Sequence, residues 1–216
     1  MIELCKCKKL FIDFDGVIVN SNRFKEIAIR RSINKVIGKN KKSLEAINYF
    51  NINAGISRKE KLSLFFNINI VNEVLKIYSE ECKKFFIEAR PTYGLKEFLK
   101  YFKSNHSYIK IFVLSGGEKN EIDLFLKRNY LLTYFEEILA SNKSKIDHLI
   151  EKEVCENDIF IGDSRNDLLS SLKTGLKFIL FEEFKSKESF PEKELIENNV
   201  FLKTQNFSSL IKTIIS

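Results

Sequence analysis

The stretch Lys9-Leu10-Phe11-Ile12-Asp13-Phe14-Asp15-Gly16-Val17-Ile18-Val19 decides the fold. An apolar run ends in two carboxylates one residue apart, and a glycine follows at once. Charge at the exit of a hydrophobic strand costs free energy unless it is paired or holds a cation. In open α/β sheets, functional sites lie at the carboxyl ends of the strands. The stretch therefore predicts a buried strand over Leu10–Phe14 that delivers Asp13 and Asp15 to a metal-assisted site.

Working outward, further strand-like runs recur at Ile109–Leu114, Glu137–Ala140, Ile159–Gly162 and Phe178–Phe181. Helical spacing separates them: Leu95, Phe98, Leu99 and Phe102 share one face, as do Ile122, Phe125 and Leu126, and then Ile146, Leu149 and Ile150. Strands alternating with helices of this length predict an α/β fold, a Rossmann-like parallel sheet flanked by helices. The segment from Asn20 to Arg90 carries only helical periodicity. Val71, Val74, Leu75, Tyr78, Cys82, Phe85 and Phe86 mark one long amphipathic helix. Ser57-Arg58-Lys59-Glu60 reads as a capping box opening another, with Leu62, Phe65 and Phe66 turned inward. That is too much helix for a crossover. The organisation expected is a core domain of residues 1–19 and 91–216 with an all-helical cap domain, residues 20–90, inserted into it.

The 216 residues suit one large domain, or one domain with a smaller insert, and 20 Phe supply an ample core. Two Pro and eight Gly argue against long disordered linkers. Lys and Arg (36) exceed Asp and Glu (29), and the net charge of +7 favours anionic substrates. The cations are spread along the chain. The densest runs, Lys39-Asn40-Lys41-Lys42 and Lys6-Cys7-Lys8-Lys9, are short and no base-reading motif accompanies them, so no nucleic-acid partner is expected. Cys5, Cys7, Cys82 and Cys155 lack zinc spacing and read as reduced thiols. Before Asp13 the apolar run is only Leu10-Phe11-Ile12, too short for a signal peptide, and no stretch reaches membrane-spanning length. A cytoplasmic protein with no membrane partner, a monomer or weak dimer, is expected.

Three more segments share the pattern of a strand running into polar chemistry. Leu114-Ser115-Gly116-Gly117-Glu118 offers a hydroxyl and backbone N–H groups ahead of a helix, an oxyanion cradle. Lys145 stands at the start of a helix, where a cation is unfavourable to the helix dipole and an anionic partner compensates. Lys143 competes with it. Gly162-Asp163-Ser164-Arg165-Asn166-Asp167 ends an apolar strand with one acid and places a second where both can share the start of a helix, with Gly175 as its stop.

In this order the segments resemble the haloacid dehalogenase superfamily of phosphohydrolases. Asp13-Phe14-Asp15-Gly16-Val17 matches its first motif, Ser115 its second, Lys145 its third, and Gly162 to Asp167 its fourth. The helical insert resembles its helical-cap subclass, shared with phosphoglycolate phosphatases and β-phosphoglucomutases. The resemblance implies Mg²⁺ held by Asp13, Asp163 and the backbone carbonyl of Asp15. It implies Asp13 as the nucleophile that forms an aspartyl-phosphate, and Asp15 as the acid and base. Ser115 and the Gly116 N–H would hold phosphoryl oxygens, Lys145 would balance charge, and Asp167 would orient Lys145 or a metal-bound water. Arg58, in a segment Gly55-Ile56-Ser57-Arg58 that resembles substrate loops of related enzymes, is the candidate for reading the substrate. His106 and His148 read as surface histidines.

The expected function is a Mg²⁺-dependent phosphatase of a small phosphorylated metabolite, a sugar phosphate or a phosphorylated polysaccharide precursor. Asp15 argues against a dehalogenase, whose relatives lack the second aspartate. A phosphomutase is the nearer rival, but Lys25 stands where the mutases carry a histidine. Asn20 replaces an aspartate common in relatives. A non-catalytic binding protein on the same fold is the remaining alternative, and the intact acids argue against it.

Overall fold

The computed structural model describes residues 4–53, 57–184 and 200–215. The chain divides into two compact units, Met1–Asn20 with Arg90–Ser216, and Ser21–Ala89. The first holds a six-stranded sheet in the order β3-β2-β1-β4-β5-β6, with every neighbouring pair parallel. The strands are β1 (Lys9–Ile12), β2 (Lys110–Leu114), β3 (Glu137–Leu139), β4 (Ile159–Gly162), β5 (Lys177–Phe181) and β6 (Leu202–Thr204). The chain builds outward from β1 through β2 to β3, then returns to the other side of β1 for β4. The sheet therefore reverses its winding between β1 and β4, and the crevice at such a reversal is where α/β proteins bind ligands.

The second unit is helical: α1 (Asn22–Ile37), α2 (Lys41–Ile52), α3 (Arg58–Ser63) and α4 (Ile68–Glu88). The long helix expected from periodicity is α4. Val71, Val74, Tyr78, Cys82 and Phe86 recur along its buried face, while Leu75 and Phe85 are half-buried. Helix α1 buries Ala28, Ile29 and Ile33, and Phe24 stacks on Phe85 at 4.2 Å. Asn40 and Ser43 form a reciprocal cap at the start of α2. In α3 the Ser57 hydroxyl accepts from the Glu60 N–H at 3.2 Å. Leu62 and Phe66 are buried, and Phe65 is half-buried against Tyr49. Gly55 and Ile56, part of the expected substrate loop, lie outside the described residues.

Helices α5 (Leu95–Asn105), α6 (Lys119–Arg128), α7 (Lys145–Glu151), α8 (Arg165–Thr174) and α9 (Phe207–Ile215) belong to the sheet unit. On one side Phe11 stacks on Phe112 at 5.1 Å, within a cluster that includes Leu149 of α7 and Leu168 of α8. Phe207 of α9 meets Phe98 of α5 and Phe181 of β5, each at 4.9 Å. Strands covered on both faces need apolar residues along their buried length, which is why β1 and β2 beyond Lys9 and Lys110, and β4, read as hydrophobic runs.

One unforeseen strand and three expected positions need correction. Strand β6 was not foreseen: it has three residues at the sheet edge, with Lys203 exposed and Leu202 half-buried, so it carries no apolar signal. Ile150 is exposed, and the inward residues of α7 are His148 and Leu149. His148 is buried rather than superficial, its Nε2 lying 2.8 Å from the Ala140 carbonyl oxygen, and His106 is half-buried among Tyr101, Phe102 and Tyr108.

At the amino-terminal end of the sheet, fully buried Asp158 ties β1 to β4. One carboxylate oxygen accepts from the N–H groups of Lys8 (3.1 Å) and Lys9 (2.8 Å), the other from Cys155 (3.0 Å). Burial, and then Asp158, push the neighbouring Cys7 thiol up to about 12, so it behaves as a core apolar group. Asp158→Ala removes a fully buried acceptor shared by three backbone N–H groups and is expected to cost about 3 kcal/mol, a fall in Tm of roughly 6–12 °C. Differential scanning fluorimetry reads this; an unchanged Tm would mean that water replaces the carboxylate.

Candidate active site

The site is assembled at the carboxyl edge of the three central strands. Ile12 pairs with Val113 on one side and Ile161 on the other, so Asp13 emerges between β2 and β4. Its N–H donates to the Ile161 carbonyl at 2.9 Å. The chain then turns at once: Ile18 and Val19 both donate to the Phe14 carbonyl, and Gly16 adopts φ 83°, a conformation open to glycine at little cost. Asp13 is buried and Asp15, past the turn, is half-buried. Thr92 anchors the returning chain beside this turn, its hydroxyl donating to Val17 O at 2.7 Å.

Four of the expected residues converge. Carboxylate oxygens of Asp13, Asp163 and Asp167 lie within 4.8 Å of one another, and all three residues are buried. Lys145, the first residue of α7, donates to Asp13 Oδ1 at 2.6 Å and to Asp167 Oδ1 at 2.5 Å. Lys143 instead meets Glu151 on the surface. Burial raises Asp13 to about 7. Lys145 opposes that rise, while Asp167 and Asp15 add to it. Burial also works against the Lys145 charge, but Asp13 and Asp167 outweigh it and hold the amine above the ordinary lysine range.

Three carboxylates against one ammonium leave an excess of negative charge in a buried, all-oxygen donor set. Those donors suit a small hard divalent cation, and a soft metal would want sulfur or imidazole. The cluster of Asp13, Asp163 and Asp167 can therefore hold a metal ion; within it, Lys145 engages Asp13 and Asp167.

Ser115 follows β2 and is buried, and its hydroxyl oxygen accepts from the Gly117 N–H at 2.9 Å. Gly116 is exposed beside it. A methyl group added at Gly117 would lie 3.2 Å from Ser115 Oγ and 3.6 Å from a carboxylate oxygen of Asp15, so Asp15 stands next to the Ser115 loop.

Arg58 belongs to the helical unit, where its guanidinium lies 4.8 Å from the centre of the buried Tyr78 ring. Nearby Lys61 was missed by sequence reasoning. It is buried, donates to the Phe50 carbonyl at 3.0 Å and sits over the Phe50 ring. Burial, and then Arg58 and Lys25, lower it to about 8. Ser164 was also missed, although Ser-x-x-Asp at 164–167 is a legible capping signature.

The fold recurs among solved structures. A protein described as a predicted phosphoglycolate phosphatase from Haemophilus somnus superposes with a TM-score of 0.73 at 14% identity, covering 96% of this chain and 98% of that one. A predicted phosphatase from Clostridium acetobutylicum gives 0.71 at 20% identity, over 97% and 98% of the two chains. CbbY from Rhodobacter sphaeroides, solved in complex with phosphate, gives 0.71 at 14% identity, over 94% and 96%. No curated protein sequence matches. The sequence signature of one family, however, runs from residue 10 on β1 to residue 181 at the end of β5 and takes in every acid of the cluster; by that match the chain belongs to the haloacid dehalogenase-like hydrolases.

Proposed function

We propose that the protein hydrolyses a small phosphate monoester through an aspartyl-phosphate, with Asp13 as nucleophile. The observation that carries this reading is the convergence of Asp13, Asp163 and Asp167 on Lys145 at the carboxyl edge of the sheet. A phosphate monoester repels nucleophiles, so catalysis consists mostly of positioning and charge compensation. Asp13, Asp163 and, by resemblance, the Asp15 carbonyl would hold Mg²⁺, which would supply neutralisation of negative charge at the site.

The chain's own groups do the rest. Asp13 attacks phosphorus in line, and Lys145 at its side balances charge on the phosphoryl oxygens. Ser115 Oγ and the Gly116 N–H hold those oxygens. Asp15 gives its proton to the leaving alkoxide. It then takes a proton from the water that attacks the acyl phosphate, which frees phosphate and restores Asp13. The proximity of Asp15 to the Ser115 loop supports this division of work, because the proton donor and the oxyanion cradle must serve the same phosphoryl group.

The substrate class favoured is a sugar phosphate or a phosphorylated polysaccharide precursor, as a cytoplasmic metabolite. A panel of phosphorylated metabolites assayed with Mg²⁺ for released phosphate tests the reading. Release from none of them, nor from p-nitrophenyl phosphate, removes it, and phosphate transfer between sugar positions without release makes the protein a mutase.

Arg58 is assigned to substrate reading on the resemblance of its loop. Arg58→Ala is expected to raise KM about tenfold or more for the true substrate and to change p-nitrophenyl phosphate turnover by less than about twofold. Equal loss on both substrates, with a lowered Tm, would reassign Arg58 to holding Tyr78.

A further inference from the structure

We propose that Ser164 is a positioning residue for Lys145, acting through Asp167. Asp167 is fully buried in the first turn of α8, and its two carboxylate oxygens do different things. Oδ2 accepts from the Ser164 N–H at 3.1 Å and from the Ser164 hydroxyl at 2.7 Å. Oδ1 accepts from Lys145 at 2.5 Å. The two oxygens are rigidly joined, so whatever holds Oδ2 sets where Oδ1 points. A hydroxyl has one proton, and here it goes to a carboxylate, the stronger kind of hydrogen bond.

Gly162 supplies the opposing wall. A Cβ there would lie 2.5 Å from Asp167 Cβ and 2.8 Å from its Cγ and Oδ2. Backbone thus fills one side of the carboxylate, and Ser164 grips the other. The ammonium that touches Asp13 at 2.6 Å is placed by this arrangement, in which the Ser164 hydroxyl acts on Asp167 and, through it, on Lys145. The usual reading of a serine at a helix start is a cap for the backbone. Here the Asp167 N–H reaches Ser164 Oγ only at 3.4 Å, longer than the bond that the same hydroxyl donates to the carboxylate.

Glycine is nearly as good a helix cap as serine but has no hydroxyl, whereas threonine keeps both functions. Ser164→Gly and Ser164→Thr therefore separate capping from positioning. The kinetic arm rests on the phosphatase reading; the crystallographic arm does not. With p-nitrophenyl phosphate and saturating Mg²⁺, Ser164→Gly is expected to lower kcat about tenfold with KM within about twofold and Tm little changed. Ser164→Thr is expected to stay within about threefold of the parent. In a crystal structure of Ser164→Gly, Lys145 Nζ is expected beyond hydrogen-bond reach of Asp167. Parental kcat in the glycine variant, or a retained Lys145–Asp167 contact, overturns the proposal. If the parent itself releases no phosphate, the phosphatase reading fails and the crystallographic outcome alone decides. Should the glycine variant melt below assay temperature, Ser164→Ala, assayed below its own Tm, replaces it under the same criteria.

Discussion

Asp13→Asn is expected to lower phosphate release by about a thousandfold or more while leaving the protein folded and no less stable. Asparagine has nearly the shape of aspartate and keeps an oxygen for Lys145, but it cannot form the acyl phosphate. The stability half follows from the environment of the side chain. Asp13 is raised from 3.8 to about 7, chiefly by burial. A carboxyl raised in the folded state destabilises it once ionised: the cost is absent below the unfolded value, grows as pH climbs through the interval up to about 7, and is complete above it. At pH above that interval the metal-free aspartate carries this cost and asparagine does not. Single-turnover phosphate release and circular dichroism melts read the two halves. Near-normal turnover would remove Asp13 as the nucleophile, and a large fall in Tm would show that the carboxylate is a structural partner of Lys145.

The parts of this fold legible in the sequence were those under strict constraint. Past their opening lysines, Lys9 and Lys110, strands β1 and β2 are buried at every position, as is β4 throughout, and the three runs end abruptly in Asp13, Ser115 or Asp163. Edge strand β6 lacks that constraint and was invisible. The choice between Lys143 and Lys145 could not be made from sequence, because both follow β3 beside a helix start. Position relative to the helix start decides it: Lys145 opens α7 and reaches Asp13, while Lys143 lies before the Ser144 cap and meets Glu151. The second acid of the fourth motif was legible as an acid but not as two separate acceptors. Only coordinates show one oxygen tied to Ser164 and the other to Lys145. Histidine 148 illustrates the opposite failure: α7 spans seven residues, too few for periodicity to say which side faces the sheet.

Magnesium is expected to raise the Tm of the metal-stripped protein, and to raise it more at about pH 8 than at about pH 5.5. Ligand at a hundred times its Kd adds about 2.7 kcal/mol, roughly 5–10 °C for a chain of this size. The pH dependence arises because cation and proton compete for Asp13. Between its unfolded value of 3.8 and its folded value of about 7, Asp13 is progressively protonated in the folded protein as pH falls, and a protonated carboxyl is a poor ligand. Above that interval the buried anion is destabilising on its own, and the cation relieves it. Lys145, held above its ordinary 10.5 by Asp13 and Asp167, stays charged at both pH values, and its pairing with Asp13 is fully charged only above the interval. Asp163→Asn, which removes a carboxylate from the cluster while leaving Asp13 and Asp167 in place beside Lys145, is expected to abolish most of the increment. Equal shifts at the two pH values would place the cation away from Asp13. An undiminished shift in the Asp163 variant would place it away from the β4 edge altogether, and with it would go the charge compensation that the attack on phosphorus requires.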